Sequence, residues 1–329
     1  MTDYKSLYAH LYALEGHPDG IQIAQGYIDG TLKGFHAALA AQGQESLARA
    51  TNRFGSQALK PFTLRQADDA RQTMLYRVCR KVLGADTPNY PQKIGDCVSF
   101  GGKNATEYLQ CCDMLLRGVR EKWRPIFPPY YYGTSRVLVG GQHDYEDGST
   151  GSWLAEAVVK YGALFADEQG VPPYSGDIAK KWGHDGPPDN DVTFGKQHIV
   201  HGVAKISSFA DLTAALTNGY PCTTASNVGY QMEASSDGFH HRGQSWSHQM
   251  CFIGFGMDPE PYAIILNNWG DVHGHLNDFT DKSEQLPVGV LRVRQKDAEA
   301  HIAAGETFAW SQYDGFPEQP LDKALFLML

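Results

Sequence analysis

A chain of 329 residues with 42% hydrophobic and 20% charged side chains has the make-up of a soluble globular protein, long enough for two domains or one large one. A formal net charge of -9, with neither a Lys/Arg cluster nor a basic aromatic stripe, argues against nucleic acid and anionic membrane as partners. No apolar run approaches a membrane span, and the stretch from Met1 to Gly20 lacks the basic start and apolar core of a secretory signal.

The expected setting is therefore a reducing one, the cytoplasm or a virion. Cys79, Cys97, Cys111, Cys112, Cys222 and Cys251 form no C-x-x-C pair, and adjacent Cys111 and Cys112 point to different helix faces, so free thiols are expected rather than zinc or redox motifs. No metal and no cofactor is expected. The sequon at Asn104-Ala105-Thr106 would matter only in a secreted chain and is set aside.

In chain order, residues 1–85 read as a helical extension, a propeptide or a docking segment for a protein assembly. Its last helix is capped by Thr63 with Gln66 three residues on, carries Met74, Val78 and Val82 at helical spacing, and stops at Gly84. After Gly95-Asp96-Cys97, the stripe Ala105, Tyr108, Leu109, Cys112, Leu115 and Leu116 predicts a helix ending near Gly118. Tyr130-Tyr131-Tyr132 is read as packing under a loop. Leu154, Ala157, Val158 and Tyr161 predict a second helix closed by Gly162, and Ser208 opens a third that runs to Asn218-Gly219. Between these two helices, the Gly- and Pro-containing stretch 168–200 reads as a long irregular connection. Beyond 220, the runs 250–255, 263–266 and 289–294 predict antiparallel strands. Helices followed by strands imply two packed subdomains with a cleft between them.

Catalysis by a thiol needs a sulfur held as thiolate, a histidine in contact, and a group that orients the imidazole. Cys97 stands before a helix, where free N–H groups and the positive end of the macrodipole favour an anion. His248 begins the apolar run Gln249 to Gly256, and Asn267 ends the next one in Asn267-Asn268-Trp269-Gly270, so neighbouring strands would hold both while Trp269 shields their bond. The histidines of His240-His241 and His273-Gly274-His275 lie in polar loops without further ligands at suitable spacing and are read as structural. Asp96 opposes the thiolate. At about 6 Å the repulsion is roughly 0.7 to 3 kcal/mol for effective dielectrics of ~80 to ~20, so Asp96→Asn should lower the thiol pKa.

Gly95-Asp96-Cys97-Val98-Ser99-Phe100, His248 through Gly256, and Asn267-Asn268-Trp269-Gly270 resemble, in order, the three signature segments of papain-like cysteine peptidases. Asp147-Gly148-Ser149-Thr150, Pro173-Tyr174, Gly219-Tyr220-Pro221 and Gly289 to Val293 agree, so the resemblance spans about 90 to 295. It implies an α+β fold: a mainly helical subdomain and an antiparallel β-barrel-like subdomain with a cleft between them, over residues 86–300, followed by a C-terminal segment 301–329. It further implies that Gln92 and the Cys97 backbone N–H form the oxyanion hole, that Trp269 lines the primed side, and that Ser149, Thr150 and Gly151 pair with an extended peptide or protein substrate. Ile94 and Asp147 stand where the family's disulfide partners would be. The leading expectation is a cysteine peptidase working through an acyl-thioester. Two others stay open: a papain-like domain kept as a structural or binding component of a larger, even viral, assembly, and a cysteine transferase or cell-wall amidase.

Overall fold

The computed structural model describes residues 20–35, 71–118 and 122–311. The expected Thr63–Gln66 helix start lies outside these residues. The elements are α1 (Gly20–Ile28), β1 (Gln72–Met74), α2 (Leu75–Leu83), α3 (Cys97–Leu116), α4 (Pro128–Gly133), α5 (Gly151–Lys160), α6 (Gly176–Asp185) and α7 (Asp189–Gly195). They are followed by β2 (Gly202–Lys205), α8 (Phe209–Thr217), β3 (Cys222–Ser226), β4 (Gly229–Tyr230), β5 (Arg242–Gln244), β6 (His248–Gly256), β7 (Tyr262–Leu266), β8 (Val290–Arg294), α9 (Gln295–Ala304) and β9 (Glu306–Ser311).

Local chemistry accounts for most boundaries. Gly84 ends α2 at φ 74°, where a side chain would be strained. The Thr150, Ser175 and Ser208 hydroxyls accept from the N–H groups of Trp153, Ile178 and Asp211, capping α5, α6 and α8. Met74 belongs to a strand and not to the helix that its spacing suggested, because its backbone pairs with Gly254 of β6. The tyrosine triplet is helical, started by Pro128 at the first turn of α4, and a wider-wound π-type turn, Thr134–Val139, continues it. The stretch 168–200 likewise holds two short helices, α6 and α7. Ala179 and Trp182 form the buried face of α6, a three-residue spacing that the surrounding glycines and prolines obscured.

The main sheet runs β2-β9-β3-β6-β7-β8, with every paired neighbour antiparallel. One edge of β6 is shared, with β3 along His248 to Phe252 and β1 along Gly254 to Gly256. The sheet is an open path, its end strands β2 and β8 not pairing, and with the helices it gives the expected α+β architecture. The sheet also draws on both flanks of 86–300, through β1 and β9.

Against β6 lies α3, buried from Cys97 through Leu109 and so surrounded by protein. Its buried charged and amide side chains are paired internally. Lys103 Nζ lies 2.8 Å from Glu107 Oε2, and Glu107 Oε1 accepts from the Ile126 N–H at 3.0 Å. Asn104 is buried too, donating from Nδ2 to Asn268 Oδ1 at 3.0 Å, which removes the sequon from consideration. Among the described residues no helix is long and apolar enough to cross a membrane, and no cluster of His, Cys, Asp or Glu has metal-binding arrangement.

Candidate active site

Cys97 is the first residue of α3, behind Asp96 as N-cap residue. Its sulfur accepts from the backbone N–H of Gln249 at 3.3 Å, which ties the start of α3 to the start of β6. Gln249 also donates from Nε2 to Val98 O at 3.0 Å, and Asn268 Nδ2 bridges Gln249 O at 2.8 Å and Cys97 O at 3.3 Å. Gln249 and Asn268 therefore seam the helix to the sheet. Their only mark in the sequence is a polar residue inside an apolar run and a doubled asparagine.

His248 opens β6 opposite Ser226, and Asn267 follows the last residue of β7. His248 Nε2 and Asn267 Oδ1 are 2.7 Å apart, and the Asn268 N–H donates to the same oxygen at 2.7 Å. An amide oxygen only accepts, so Nε2 carries the proton and Nδ1 is bare; Nδ1 is buried without a hydrogen-bond partner. Trp269 lies stacked on the imidazole, 4.6 Å between centroids, and is fully buried, which keeps water from the His248–Asn267 bond.

Residues 20–35 pack against these side chains, with Ile23, Ala24, Tyr27 and Phe35 buried. Tyr27 packs its ring 4.6 Å from that of His248 and 5.4 Å from that of Trp269, and its hydroxyl lies beside the Cys97 sulfur, the two atoms being 2.3 and 2.1 Å from where a Cβ on Gly34 would stand. Gln92 Nε2 donates to this hydroxyl at 2.7 Å and to Ile94 O at 2.7 Å. The Gln92 amide thus reaches the space beside the sulfur. Gly34 lies so close that a Cβ built on it would stand 2.1 Å from Sγ. The segment then ties to both walls: the Gly34 and Phe35 N–H groups donate to Ser247 O, and the Ser149 N–H donates to Gly34 O at 3.0 Å. Nothing in the sequence linked Tyr27 or Gly34 to a cysteine some sixty residues on.

Of the three substrate-pairing candidates, only Ser149 offers backbone to an extended chain, in its parallel bridge with Phe35. Thr150 caps α5 and Gly151 is its first residue, whose missing Cβ leaves room for Gln249 and Glu306. Where a disulfide would otherwise join two segments, Asp147 Oδ2 accepts from the Gly95 N–H at 2.8 Å. All six cysteines are free.

Burial governs the charges. It pushes the Cys97 thiol up to about 12 against the helpful bonds from Tyr27 and Gln249, and it lowers His248 to about 3 against the bond to Asn267. Buried in this way, both groups are neutral at pH 7. Burial also drives the Asp96 carboxyl well above the ordinary range, despite the bond from Tyr174 Oη to Oδ2 at 3.1 Å. Asp96 in turn adds to the upward push on the Cys97 thiol, in the direction its adjacency implies.

No protein-family model matches the sequence, and no curated protein matches it. Solved structures do. Xylellain, a cysteine protease from Xylella fastidiosa, superposes with a TM-score of 0.55 at 14% identity, over 79% of this chain and 93% of that one. The chain has the papain-like fold. The ragweed cysteine protease Amb a 11 in its proform matches with a TM-score of 0.51 at 14% identity, over 77% of this chain and 69% of that one. Procathepsin B S9 from Trypanosoma congolense also reaches 0.51 at 14% identity, over 78% of this chain and 83% of that one. Within the papain-like fold, Cys97, His248, Asn267, Gln92 and Trp269 all border one groove, each within contact of Tyr27 or of another of the five.

Proposed function

We propose that this chain is a cysteine-dependent peptidase, with Cys97 as nucleophile, His248 as base and acid, and Asn267 as the residue that orients the imidazole. One observation carries the reading: His248 presents a bare Nδ1, its Nε2–H being held by Asn267 Oδ1 at 2.7 Å, in the groove where the Cys97 sulfur meets β6. In the reaction, Nδ1 takes the thiol proton and Sγ bonds to the peptide carbonyl carbon. The C–N bond breaks as Nδ1 returns the proton to the amine. Water, deprotonated by the same nitrogen, then cleaves the thioester and frees the acid. The carbonyl oxygen, negative in the intermediate, is met by the Cys97 N–H and by the Gln92 N–H that now points at the Tyr27 hydroxyl.

Residues 20–35 act as a cover on this reading. The segment passes from the Trp269 side, where Gly20 packs on Trp269 O, to the Ser149 side at Phe35. A substrate whose acyl part pairs at Ser149 and whose leaving part lies by Trp269 runs the other way. The cover therefore fills the groove with its carbonyls wrongly presented for attack. Two of the fold neighbours are themselves described as a proform and a procathepsin.

The test is hydrolysis of casein and a peptide library by the full chain before and after limited proteolysis, alongside Cys97→Ala. Hydrolysis that rises on trimming and vanishes in the variant supports the proposal. Its absence from every trimmed species that still folds would sink it.

A further inference from the structure

His273 belongs to a loop histidine pair that the proposed chemistry leaves unused, yet it is 4% exposed and sits against the back of Asn267. Its Nε2 is 2.6 Å from Asn267 Nδ2, and its Nδ1 is 3.0 Å from Met232 O. These two contacts determine the tautomer. A carbonyl oxygen can only accept, so Nδ1 bears the hydrogen; Nε2 then holds the lone pair, and an amide nitrogen can only donate to it. The same amide turned over would set its oxygen against that lone pair and its NH2 against both the Asn268 N–H and the His248 Nε2–H. In these tautomers each hydrogen bond that the Asn267 amide makes to His248, His273 and the Asn268 N–H would fail.

We infer that His273 is a positioning residue: anchored on Met232 O, it holds the Asn267 amide so that its oxygen faces His248 and leaves His248 Nδ1 bare for the thiol proton. The inference rests on the reading of Cys97 and His248 as the reacting pair. It extends that pair into a row, Met232 O, His273, Asn267, His248, in which each hydrogen bond sets the sense of the next. The row is closed to water by Trp246 and Trp269, whose rings lie 6.2 and 5.8 Å from that of His273. The other titratable groups facing it are His240, 5.5 Å away edge to face, and His248. Burial keeps His273 neutral, lowering it to about 4, so its acceptor lone pair is present at neutral pH.

Two measurements on the full chain test this. In long-range nitrogen–hydrogen NMR spectra of histidine-labelled protein, His273 should report hydrogen on Nδ1 and none on Nε2, and His248 the reverse; hydrogen on His273 Nε2 overturns the inference. The second is the pH profile of Cys97 alkylation by iodoacetamide in wild type, His273→Ala and His273→Gln. Glutamine can place Oε1 where Nε2 stands and accept from Asn267. The alanine variant leaves the Asn267 NH2 buried and unpaired, and its neutral-pH rate should fall roughly 10-fold, with the profile moving toward that of a plain thiol. His273→Gln should restore the wild-type profile. A glutamine variant that folds but behaves as alanine does would overturn the inference. If wild-type Cys97 titrates as a plain thiol, the peptidase reading fails, and the NMR tautomers still decide the role of His273.

Discussion

Replacing Tyr27 with alanine removes the side chain that touches the sulfur, the imidazole and Trp269 together, and its effect follows from burial. Tyr27 is 2% exposed, stacks on Trp269 and lies tilted against His248, and truncation of a large buried aromatic side chain costs about 3 to 5 kcal/mol. That cost falls on the covering segment, which is held elsewhere by buried Ile23, Ala24 and Phe35 and by backbone bonds to Ser247 and Ser149. At about 1.4 kcal/mol per tenfold, even 3 kcal/mol raises the open population of the cover roughly 100-fold. Iodoacetamide reaches Cys97 only when the cover lifts, so its rate of labelling at pH 7.5 should rise by a similar factor. Buried Cys79, in α2 and remote from the groove, should label as slowly as before and so reports any global unfolding. Gly34→Ala makes the same test by crowding, because its Cβ would stand 2.1 Å from Sγ and push the segment off. If both variants label Cys97 within twofold of wild type while remaining folded, residues 20–35 do not guard the sulfur.

Glu107→Ala leaves Lys103 buried without its 2.8 Å partner, and denaturant unfolding should show a loss of about 3 to 5 kcal/mol. His240, His248 and His301 are lowered to about 3 by burial and His273 to about 4, so the unfolded chain binds more protons than the native one below its ordinary histidine pKa. Their stabilisation is complete above about pH 6.5 and is lost as pH falls toward 4. Asp96 and Glu306, raised by burial, act oppositely over part of that window. The melting temperature should still drop between pH 7.5 and pH 5, and a flat profile would contradict the four buried neutral rings. Asp96→Asn removes one of the contributions that push the Cys97 thiol upward, so the alkylation profile should move to lower pH; an unchanged profile would contradict the repulsion. Preparations that cleave peptides should contain a species shorter at its N-terminus, detectable by intact mass, and activity confined to full-length chain would refute the cover.

Much of the architecture was legible because local patterns carried it. Ser208, Gly162 and Gly219 mark helix ends through capping and left-handed backbone, which depend on nearest neighbours alone. The apolar runs at 250–255 and 263–266 became β6 and β7, since a strand buried on both faces needs such runs wherever its partners lie. Elsewhere local signal lost to tertiary context. Met74 fits a helical stripe, but an open edge of β6 recruited its backbone. Glu306 to Ser311 mixes polar and apolar residues, and it forms a strand because β3 and β2 flank it.

The site divides in the same way. Cys97, His248 and Asn267, the residues of the proposed site, could be located from the sequence because each stands at the edge of a regular element, where a side chain is placed by a pattern visible over a few residues. Tyr27, Gly34, Gln249, Asn268 and His273 could not, since each acts through a partner brought near only by folding: a sulfur, a helix carbonyl, the back of an amide. The charge state also belonged to the folded molecule. Adjacency to a helix start argued for a thiolate, but the surrounding protein excludes water, and desolvation outweighs the hydrogen bonds, leaving thiol and imidazole neutral in the folded chain.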